Sequence, residues 1–141
     1  MMELISEVVV RYAETDQMGI AHHSHYAVWF EAARTEFIKS LGMSYTQCEE
    51  RGIRLPLFSI STSFIRPAHY EDVLLVRAYI LEMTPARLVM GYQVSNKESG
   101  VLLSEGTTRH AWTDRELKPV NLKKYDKEIY DMLCNACESS L

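Results

Sequence analysis

Residues 16–42 read DQMGIAHHSHYAVWFEAARTEFIKSLG, and this stretch decides the fold. From residue 25 to residue 41, apolar side chains recur every three or four positions, which predicts an amphipathic helix. The apolar stripe consists of Tyr26, Phe30, Ala33, Phe37 and Leu41, and it is widened by Trp29 and Ala32. Ser24 is predicted to cap the helix N-terminus, and Gly42 stands where a C-terminal glycine is expected. The width of the apolar surface predicts a helix that is largely buried.

The remainder of the chain is predicted to form five strands and two further helices. Loose alternation over residues 4–12 predicts a strand, and residues 44–51 predict a short helix. Four more strands are predicted at residues 57–65, 73–81, 88–95 and 101–112, followed by a helix at residues 122–136 capped by Asn121. The short turns between strands indicate antiparallel neighbours. This order predicts an α+β fold in which one antiparallel sheet wraps around a single long helix, with an extra C-terminal helix.

Length, charge and cysteine content limit the classes of protein to which the chain can belong. A chain of 141 residues indicates one domain, residues 1–141. The net charge of −4 argues against general binding to nucleic acid, which usually requires a basic face. The sequence has no apolar run of the ~18 residues that a membrane span needs, and its start lacks the pattern of a signal peptide. The three cysteines are not a secreted disulfide framework, so the expected location is the cytoplasm.

The loop before the long helix carries the groups needed for acyl chemistry. Asp16 supplies a carboxylate, and the start of the long helix supplies unpaired backbone N–H groups with partial positive charge. A helix N-terminus can polarise a carbonyl while a nearby carboxylate attacks it or activates water. The pattern therefore favours acyl transfer or hydrolysis. The alternative is that Asp16 is only a turn residue, a position where aspartate is common.

Two other clusters of polar residues near this helix have structural interpretations. His22, His23 and His25 lack the i, i+4 spacing of zinc-binding histidines on a helix, so no metal site is predicted. Glu31 and Arg34 are three residues apart on the helix, which favours a local ion pair at its rim. Support of the catalytic site is the alternative role for this pair.

The residue pattern around Asp16 resembles a known enzyme family. The matching segments are Val10–Asp16, Gly19–Ile20, His23, Tyr26, Phe30–Glu36 and Arg66–Ala68 followed by Asp72. They are similar to the 4-hydroxybenzoyl-CoA thioesterase family, which consists of hotdog-fold acyl-CoA thioesterases, and most similar to the branch that includes the Tol-Pal-associated enzymes. The strand pattern agrees with this family to about residue 114. The resemblance implies hydrolysis of an acyl-CoA to the free acid and CoA without a cofactor or metal.

The resemblance also implies roles for individual residues. Asp16 matches the catalytic nucleophile or general base of the family. His23 matches a residue at the helix start whose backbone N–H polarises the thioester carbonyl and whose side chain is often counted as catalytic. Tyr12 matches a tyrosine that is also assigned to the site. His22 departs from the aromatic residue usual at that position, which affects the expected shape of the acyl pocket.

Four further residues are candidates for binding the CoA moiety. Arg66 and Arg87 can contact its phosphates, and Arg87 follows a Pro-Ala turn where related enzymes often present basic residues. Ser61 and Thr62 can contact the pantetheine arm along an exposed strand edge. The length and identity of the acyl chain do not follow from the sequence, and a carrier-protein thioester remains an alternative to CoA.

The resemblance further implies an assembly and leaves two rival functions open. It implies homodimers that pair edge strands into a continuous sheet, often assembled into homotetramers, which agrees with the need to protect a long edge strand. The first rival is a hotdog dehydratase or hydratase acting on acyl-thioesters, although its histidine-centred motif is missing. The second rival is a non-catalytic acyl-CoA-binding protein, which usually carries a helix-turn-helix segment for which no residues are left.

Overall fold

The computed structural model of the protein describes residues 2–138. The elements in chain order are β1 (Glu3–Val9), α1 (Ser24–Ser40), α2 (Tyr45–Glu50), β2 (Leu57–Phe64), β3 (Val73–Met83), β4 (Arg87–Asn96), β5 (Leu102–Ala111), α3 (Leu122–Tyr125) and α4 (Lys127–Glu138). A single 3₁₀ turn (Tyr12–Glu14) separates β1 from the loop that leads to α1. None of the helices within residues 2–138 is both long and apolar enough to cross a membrane.

The five strands form one antiparallel sheet in the order β1-β3-β4-β5-β2. Strands β3, β4 and β5 follow one another through short turns and form the centre of the sheet. Strands β1 and β2 are the two edges, and every residue of β2 is at least partly exposed. The α+β class and the predicted order of elements are confirmed.

Helix α1 packs across one face of this sheet and forms the core with it. Its buried residues are Tyr26, Trp29, Phe30, Ala33, Phe37 and Ile38. The ring of Phe30 stacks on Tyr92 of β4 with a centroid distance of 4.5 Å and an interplanar angle of 8°. Gly106 of β5 makes room for this stack, because a Cβ there would lie 2.5 Å from the Phe30 ring. The predicted apolar stripe is therefore buried, except at Leu41, which is partly buried, and at Ala32, which is exposed. More than half of the residues of α1 are exposed within one chain, so the helix is buried along one face and is not largely buried as predicted.

The ends of the first two elements differ from the prediction in detail. β1 ends at Val9, and Tyr12 belongs to the 3₁₀ turn rather than to the strand. His23 occupies the N-cap position of α1, and Ser24 is the first helical residue, so the predicted Ser24 cap is wrong. Gly42 follows α1 with a φ of +104°, the left-handed conformation expected of a glycine there.

The C-terminal segment is two helices instead of the single predicted helix. Asn121 caps α3 as predicted, accepting a hydrogen bond from the Lys124 N–H at 3.2 Å. The break falls at Asp126, whose carboxylate accepts from the Ile129 N–H at 3.3 Å and from Arg51 through two bonds of 2.7 Å. Aspartate at this position starts a new helix. Hydrophobic periodicity continues across residue 126 and therefore did not reveal the break.

Candidate active site

The loop that carries Asp16 is held by backbone hydrogen bonds. The Asp16 N–H donates to the carbonyl of Ile20 at 2.9 Å, and the Gly19 N–H donates to the carbonyl of Asp16 at 2.9 Å. Gly19 has a φ of +78°, which favours glycine at this turn. The Ala21 N–H donates to the carbonyl of Ala68 at 2.8 Å, which ties the loop to the segment after β2. The loop therefore presents Asp16 in a defined position beside the start of α1.

Asp16 lines a pocket of ≈ 330 Å³ between this loop, the start of α1 and the end of β2. His23 and Arg66 supply an imidazole and a guanidinium to its wall. Tyr26 and Phe64 supply aromatic surface, with their ring centroids 5.0 Å apart in an edge-on arrangement. The pocket thus combines a carboxylate, an imidazole and a guanidinium with an aromatic wall.

The Asp16 carboxylate has one oxygen engaged and one available. Its Oδ1 accepts a hydrogen bond from the Met18 N–H at 2.8 Å, which fixes the side-chain rotamer. No donor to its Oδ2 is found in residues 2–138. An anionic oxygen that is held in place and not hydrogen-bonded is suited to attack a carbon or to take a proton from water.

The start of α1 offers one free backbone donor at this pocket. The Ser24 N–H donates to Nδ1 of His22 at 3.2 Å, and the His25 N–H donates to the carbonyl of His22 at 3.1 Å. The His23 N–H has no acceptor within the part of the chain that the structure describes. This N–H lies at the positive end of the helix dipole, so it can stabilise negative charge on a carbonyl oxygen. The His23 ring is exposed and lies edge-on to Phe64, with centroids 6.3 Å apart.

The histidines at the helix start do not come together as a metal site. The rings of His22 and His23 are 4.0 Å apart between centroids, and Nδ1 of His22 is engaged with the Ser24 hydroxyl at 2.9 Å. Among the residues with described side chains, no group of three histidine, cysteine or carboxylate ligands is placed to hold a metal ion. His22 instead anchors the first turn of α1.

Glu14 holds the loop to α1, a role that the sequence analysis missed. The residue is 3% exposed, and its carboxylate accepts from the Arg11 N–H at 2.8 Å and from Nε1 of Trp29 at 3.1 Å. Its carbonyl also accepts from the His22 N–H at 2.8 Å. Burial alone would raise the pKa of Glu14, but the hydrogen bonds from Arg11 and Trp29 together with the Arg11 charge outweigh it, and the pKa is lowered. The sequence did offer a signal for this role, because Glu14 lies two residues before Asp16 within the segment Val10–Asp16 that resembles the family.

Glu14→Gln is expected to lower the free energy of unfolding at pH 7 by about 1–3 kcal/mol, because a buried hydrogen-bonding carboxylate is lost. The lowered pKa means that the carboxylate contributes stability above its unfolded pKa of about 4.3 and loses it as the pH falls through the folded value. Urea unfolding of both proteins at pH 7 and at successively lower pH measures this. The difference between wild type and variant should shrink with acidification, and a difference independent of pH would contradict the assigned charge.

Two of the predicted site residues lie away from the pocket within one chain. Tyr12 is 69% exposed, and its ring contacts Tyr70 with centroids 5.6 Å apart. Arg87, at the start of β4, has its Nε 3.5 Å from a carboxylate oxygen of Glu82. The structure therefore brings together Asp16, His23 and Arg66 but not these two residues.

The two predicted pantetheine contacts lie on the edge strand β2 outside this pocket. Ser61 lines a separate surface pocket with Tyr79 and Glu105. Thr62 is half-buried and is paired in register with Gly106. Phe64, which lies on the same strand, does line the Asp16 pocket. A substrate that extends from the pocket along β2 would therefore pass Phe64 before it reached Ser61 or Thr62.

A second polar network inside the fold was not predicted. Arg34 donates from Nε to Tyr45 Oη at 2.9 Å and from Nη1 to Tyr92 Oη at 3.2 Å. It lies within ion-pair distance of no Glu31 oxygen, so the predicted Glu31–Arg34 ion pair is wrong. Tyr92 Oη shares a hydrogen bond of 2.7 Å with Thr108. The three partners lie on three other elements, α2, β4 and β5. Helical spacing compares only residues within α1, so it suggested an ion pair inside that helix.

Comparison with known proteins places the chain among thioesterases. Residues 18–103 match the family model described as thioesterase superfamily. Putative acyl-CoA thioesterase YneP of Bacillus subtilis is 40% identical over 119 residues, covering 84% of this chain and 86% of that protein. Acyl-CoA thioesterase YbgC of Haemophilus influenzae is 27% identical, covering 89% and 93%.

Solved structures show the same likeness. The DHNA-CoA thioesterase from Staphylococcus aureus superposes with a TM-score of 0.90 at 32% identity, covering 96% of this chain and 91% of that one. Slr0204, a 1,4-dihydroxy-2-naphthoyl-CoA thioesterase from Synechocystis, superposes with a TM-score of 0.81 at 26% identity, covering 94% and 96%. The likeness extends over nearly the whole chain.

Proposed function

Since the chain belongs to the thioesterase superfamily and is a thioester hydrolase with the hotdog fold, we propose that it cleaves acyl-CoA at the Asp16 pocket. One observation carries this proposal: Asp16 and His23 line the same pocket, and among residues 2–138 neither Oδ2 of Asp16 nor the backbone N–H of His23 has a hydrogen-bond partner. The nucleophile and the oxyanion donor of an acyl-transfer site require that juxtaposition. We also propose that residues 1–141 form one catalytic domain.

The reaction follows from these two groups. The thioester carbonyl oxygen accepts a hydrogen bond from the His23 N–H, which stabilises the negative charge that develops there. Oδ2 of Asp16 then either attacks the carbonyl carbon, forming an acyl anhydride that water hydrolyses, or removes a proton from a water that attacks. In both routes the carbon–sulfur bond breaks, CoA leaves as a thiolate, and the acyl group leaves as a carboxylic acid. The chemistry needs no metal or cofactor.

A thiol-release assay tests the proposed reaction against its rivals. The purified protein is incubated with saturated short, medium and long acyl-CoAs, with aromatic acyl-CoAs, and with a 3-hydroxyacyl-CoA and the matching enoyl-CoA. We expect free thiol from at least one class, and the aromatic wall of Tyr26 and Phe64 makes the aromatic acyl-CoAs the first to test. Interconversion of the hydroxyacyl and enoyl substrates without thiol release would instead identify a hydratase. Binding without turnover would identify an acyl-CoA-binding protein.

Arg66 is the group in the pocket that fits a phosphate of CoA. It lies in the wall beside Asp16 and His23, it is exposed, and it forms no ion pair with a carboxylate of the described residues. Arg87 remains a second candidate, although Glu82 already neutralises part of its charge within one chain. His23 and Tyr12 are retained as side-chain candidates for the site, with Ser61 and Thr62 for the pantetheine arm.

Arg66→Gln is expected to raise KM for acyl-CoA by up to about 5-fold, because an exposed ion pair contributes at most about 1 kcal/mol. Added salt should weaken binding to the wild type more than to the variant. The same acyl group on N-acetylcysteamine, which has no phosphates, is the matched control and should show an unchanged KM. Arg87→Gln, assayed in parallel, tests the second candidate. An Arg66 variant with the same KM and salt dependence as the wild type would contradict the phosphate role.

We propose that the protein forms a homodimer through the edge strand β2, which can assemble further into a homotetramer. Phe58, Ile60 and Phe64 of β2 are 57%, 43% and 53% exposed. An exposed apolar edge strand of this kind is a site for pairing with another chain. The pocket residue Phe64 is the last residue of this strand and Arg66 follows two residues later, so a partner on this edge would close over the active site.

Ile60→Glu is expected to halve the mass measured by light scattering and to lower acyl-CoA hydrolysis. Burying the glutamate carboxylate between paired apolar strands costs more free energy than the pairing provides. Ile5→Glu on the opposite edge strand β1, where the side chain is 54% exposed, is the matched control. A wild-type protein that elutes as a monomer, or an Ile5 variant that alone dissociates, would contradict β2 pairing.

We also propose a cytoplasmic location. Cys48 and Cys134 are free thiols. Cysteines kept as thiols are typical of a reducing compartment.

A further inference from the structure

His22 completes the start of α1, because the N-cap residue makes no capping bond of its own. The side chain of His23, at the N-cap position, accepts no hydrogen bond from the helix. The preceding residue supplies the acceptors instead. Nδ1 of His22 accepts from the Ser24 N–H at 3.2 Å and shares a bond of 2.9 Å with the Ser24 hydroxyl, and the His22 carbonyl accepts from the His25 N–H at 3.1 Å. His22 thus engages two of the backbone N–H groups that a helix start leaves unpaired.

The position of the His23 N–H depends on these contacts of its two neighbours. On one side, the His22 N–H donates to the carbonyl of Glu14 at 2.8 Å, and Glu14 is buried and bonded to α1 through Trp29. On the other side, the Ser24 N–H is held by the His22 ring. A catalytic group that moves by about 1 Å can lose much of its effect. The bond between His22 and Ser24 therefore bears on how well the His23 N–H can serve as the oxyanion donor.

Only one protonation state of the His22 ring can make this contact. A ring nitrogen accepts from an N–H only when it carries no proton, so Nδ1 is the bare nitrogen and Nε2 carries the proton of the neutral ring. An imidazolium has protons on both nitrogens and would direct a donor at the Ser24 N–H, at the positive end of the α1 dipole. Histidine is the side chain whose charge changes between pH 5 and 8. Acidification therefore breaks the contact.

The charged and titratable groups around the ring offer an imidazolium no compensation. The His23 and His25 rings lie 4.0 Å and 6.4 Å from the His22 ring between centroids. The Glu14 carboxylate lies 3.9 Å from Nδ1 of His25 and 3.4 Å from Nε of Arg11. No carboxylate among residues 2–138 forms an ion pair with His22. Protonation of His22 thus removes a hydrogen bond without creating an ion pair.

We propose that neutral His22 is a positioning residue of acyl-CoA hydrolysis: it holds the first turn of α1 so that the His23 N–H meets the thioester oxygen, and its protonation releases this turn and lowers the rate. The inference rests on the proposed function. His22 acts through the backbone of its neighbours and touches no reacting atom. Its loss should therefore lower kcat and kcat/KM together and leave KM nearly unchanged.

Two substitutions separate the acceptor of His22 from its charge. In His22→Asn the amide oxygen takes the place of Nδ1 and can accept from the N–H two residues on, as in an Asx turn, but it does not titrate. His22→Phe keeps an aromatic ring and removes the acceptor. At pH 8 we expect kcat of the asparagine variant within about 2-fold of the wild type. We expect kcat of the phenylalanine variant to be lower by about 3- to 30-fold, the range that loss of a helix cap implies.

The pH dependence gives the sharper comparison. Thiol release from the acyl-CoA selected by the substrate screen is followed with 4,4′-dithiodipyridine, which reacts with thiols at acidic as well as neutral pH. Between pH 8 and pH 5.5, kcat of the wild type should fall relative to the asparagine variant and approach that of the phenylalanine variant. The ratio of wild type to asparagine variant cancels the titration of Asp16 and His23, which both proteins share.

NMR tests the same hydrogen bond without turnover. In ¹⁵N-labelled wild-type protein the Ser24 amide signal should follow the titration of the His22 ring, and this component should be absent from His22→Asn. If His22→Phe does not fold, the kcat ratio and the NMR titration decide. Failure of the wild type to hydrolyse any acyl-CoA would refute the proposed function, and this inference with it. With hydrolysis intact, the inference alone is overturned if folded His22→Phe matches the wild type at every pH, if His22→Asn loses activity in acid as the wild type does, or if the Ser24 amide does not follow His22.

Discussion

Asp16→Asn is expected to lower kcat for acyl-CoA hydrolysis by about 10²–10⁴-fold, while the protein remains folded. The amide can neither attack the thioester carbonyl nor accept a proton from water, and positioned groups of this kind contribute rates of that order. The amide oxygen can still accept the hydrogen bond that Oδ1 receives from the Met18 N–H at 2.8 Å, so the local turn should survive. Thiol release under substrate saturation measures kcat, and circular dichroism with thermal unfolding checks the fold.

A matched control is available for this substitution. Asp114 adopts the same local arrangement, accepting from the Glu116 N–H at 2.9 Å and the Lys118 N–H at 3.0 Å, but it lies outside the Asp16 pocket. Asp114→Asn should therefore leave kcat unchanged. Near-normal turnover by a folded Asp16→Asn protein, or an equal loss in the Asp114 variant, would refute the catalytic role of Asp16.

Phe30→Ala is expected to lower the free energy of unfolding by about 3–5 kcal/mol. Phe30 is fully buried, stacks on Tyr92 at 4.5 Å, and fills the space that Gly106 leaves open, so its removal creates a cavity between helix and sheet. A loss of this size is a large part of the 5–15 kcal/mol that typically holds a domain together. Urea unfolding at one fixed protein concentration measures it, because association shifts apparent stability.

Val28 provides the comparison within the same helix. Its side chain is 55% exposed, so Val28→Ala should change the free energy of unfolding by less than about 0.5 kcal/mol. If both substitutions cost the same, helix propensity rather than packing against the sheet would dominate the stability of α1. A Phe30 variant as stable as the wild type would show that the core refills the space.

Local patterns in the sequence were sufficient for the elements and for the region of the site. The stripe from Tyr26 to Phe37 predicted both the presence and the buried face of α1, because helical periodicity depends only on neighbours within a turn or two. The resemblance around Asp16 indicated the family, which the comparisons confirm. The break between α3 and α4 at Asp126 was not predicted from the sequence, because the Asp126 carboxylate is bound by Arg51, which is distant along the chain.

The sequence by itself determined the fold class, the long helix with its buried face and the position of Asp16 just before it, since all of these depend on the spacing of residues along one segment. Only the tertiary structure decided which polar groups meet. It joined Glu14 to Trp29 across the loop and turned Arg34 toward Tyr92, 58 residues away. Among residues 2–138 it also left the N–H of His23, which lines the Asp16 pocket, without an acceptor. Hydrogen-bond partners are selected by proximity in space after the helix packs on the sheet, and spacing along the chain carries no information about that proximity.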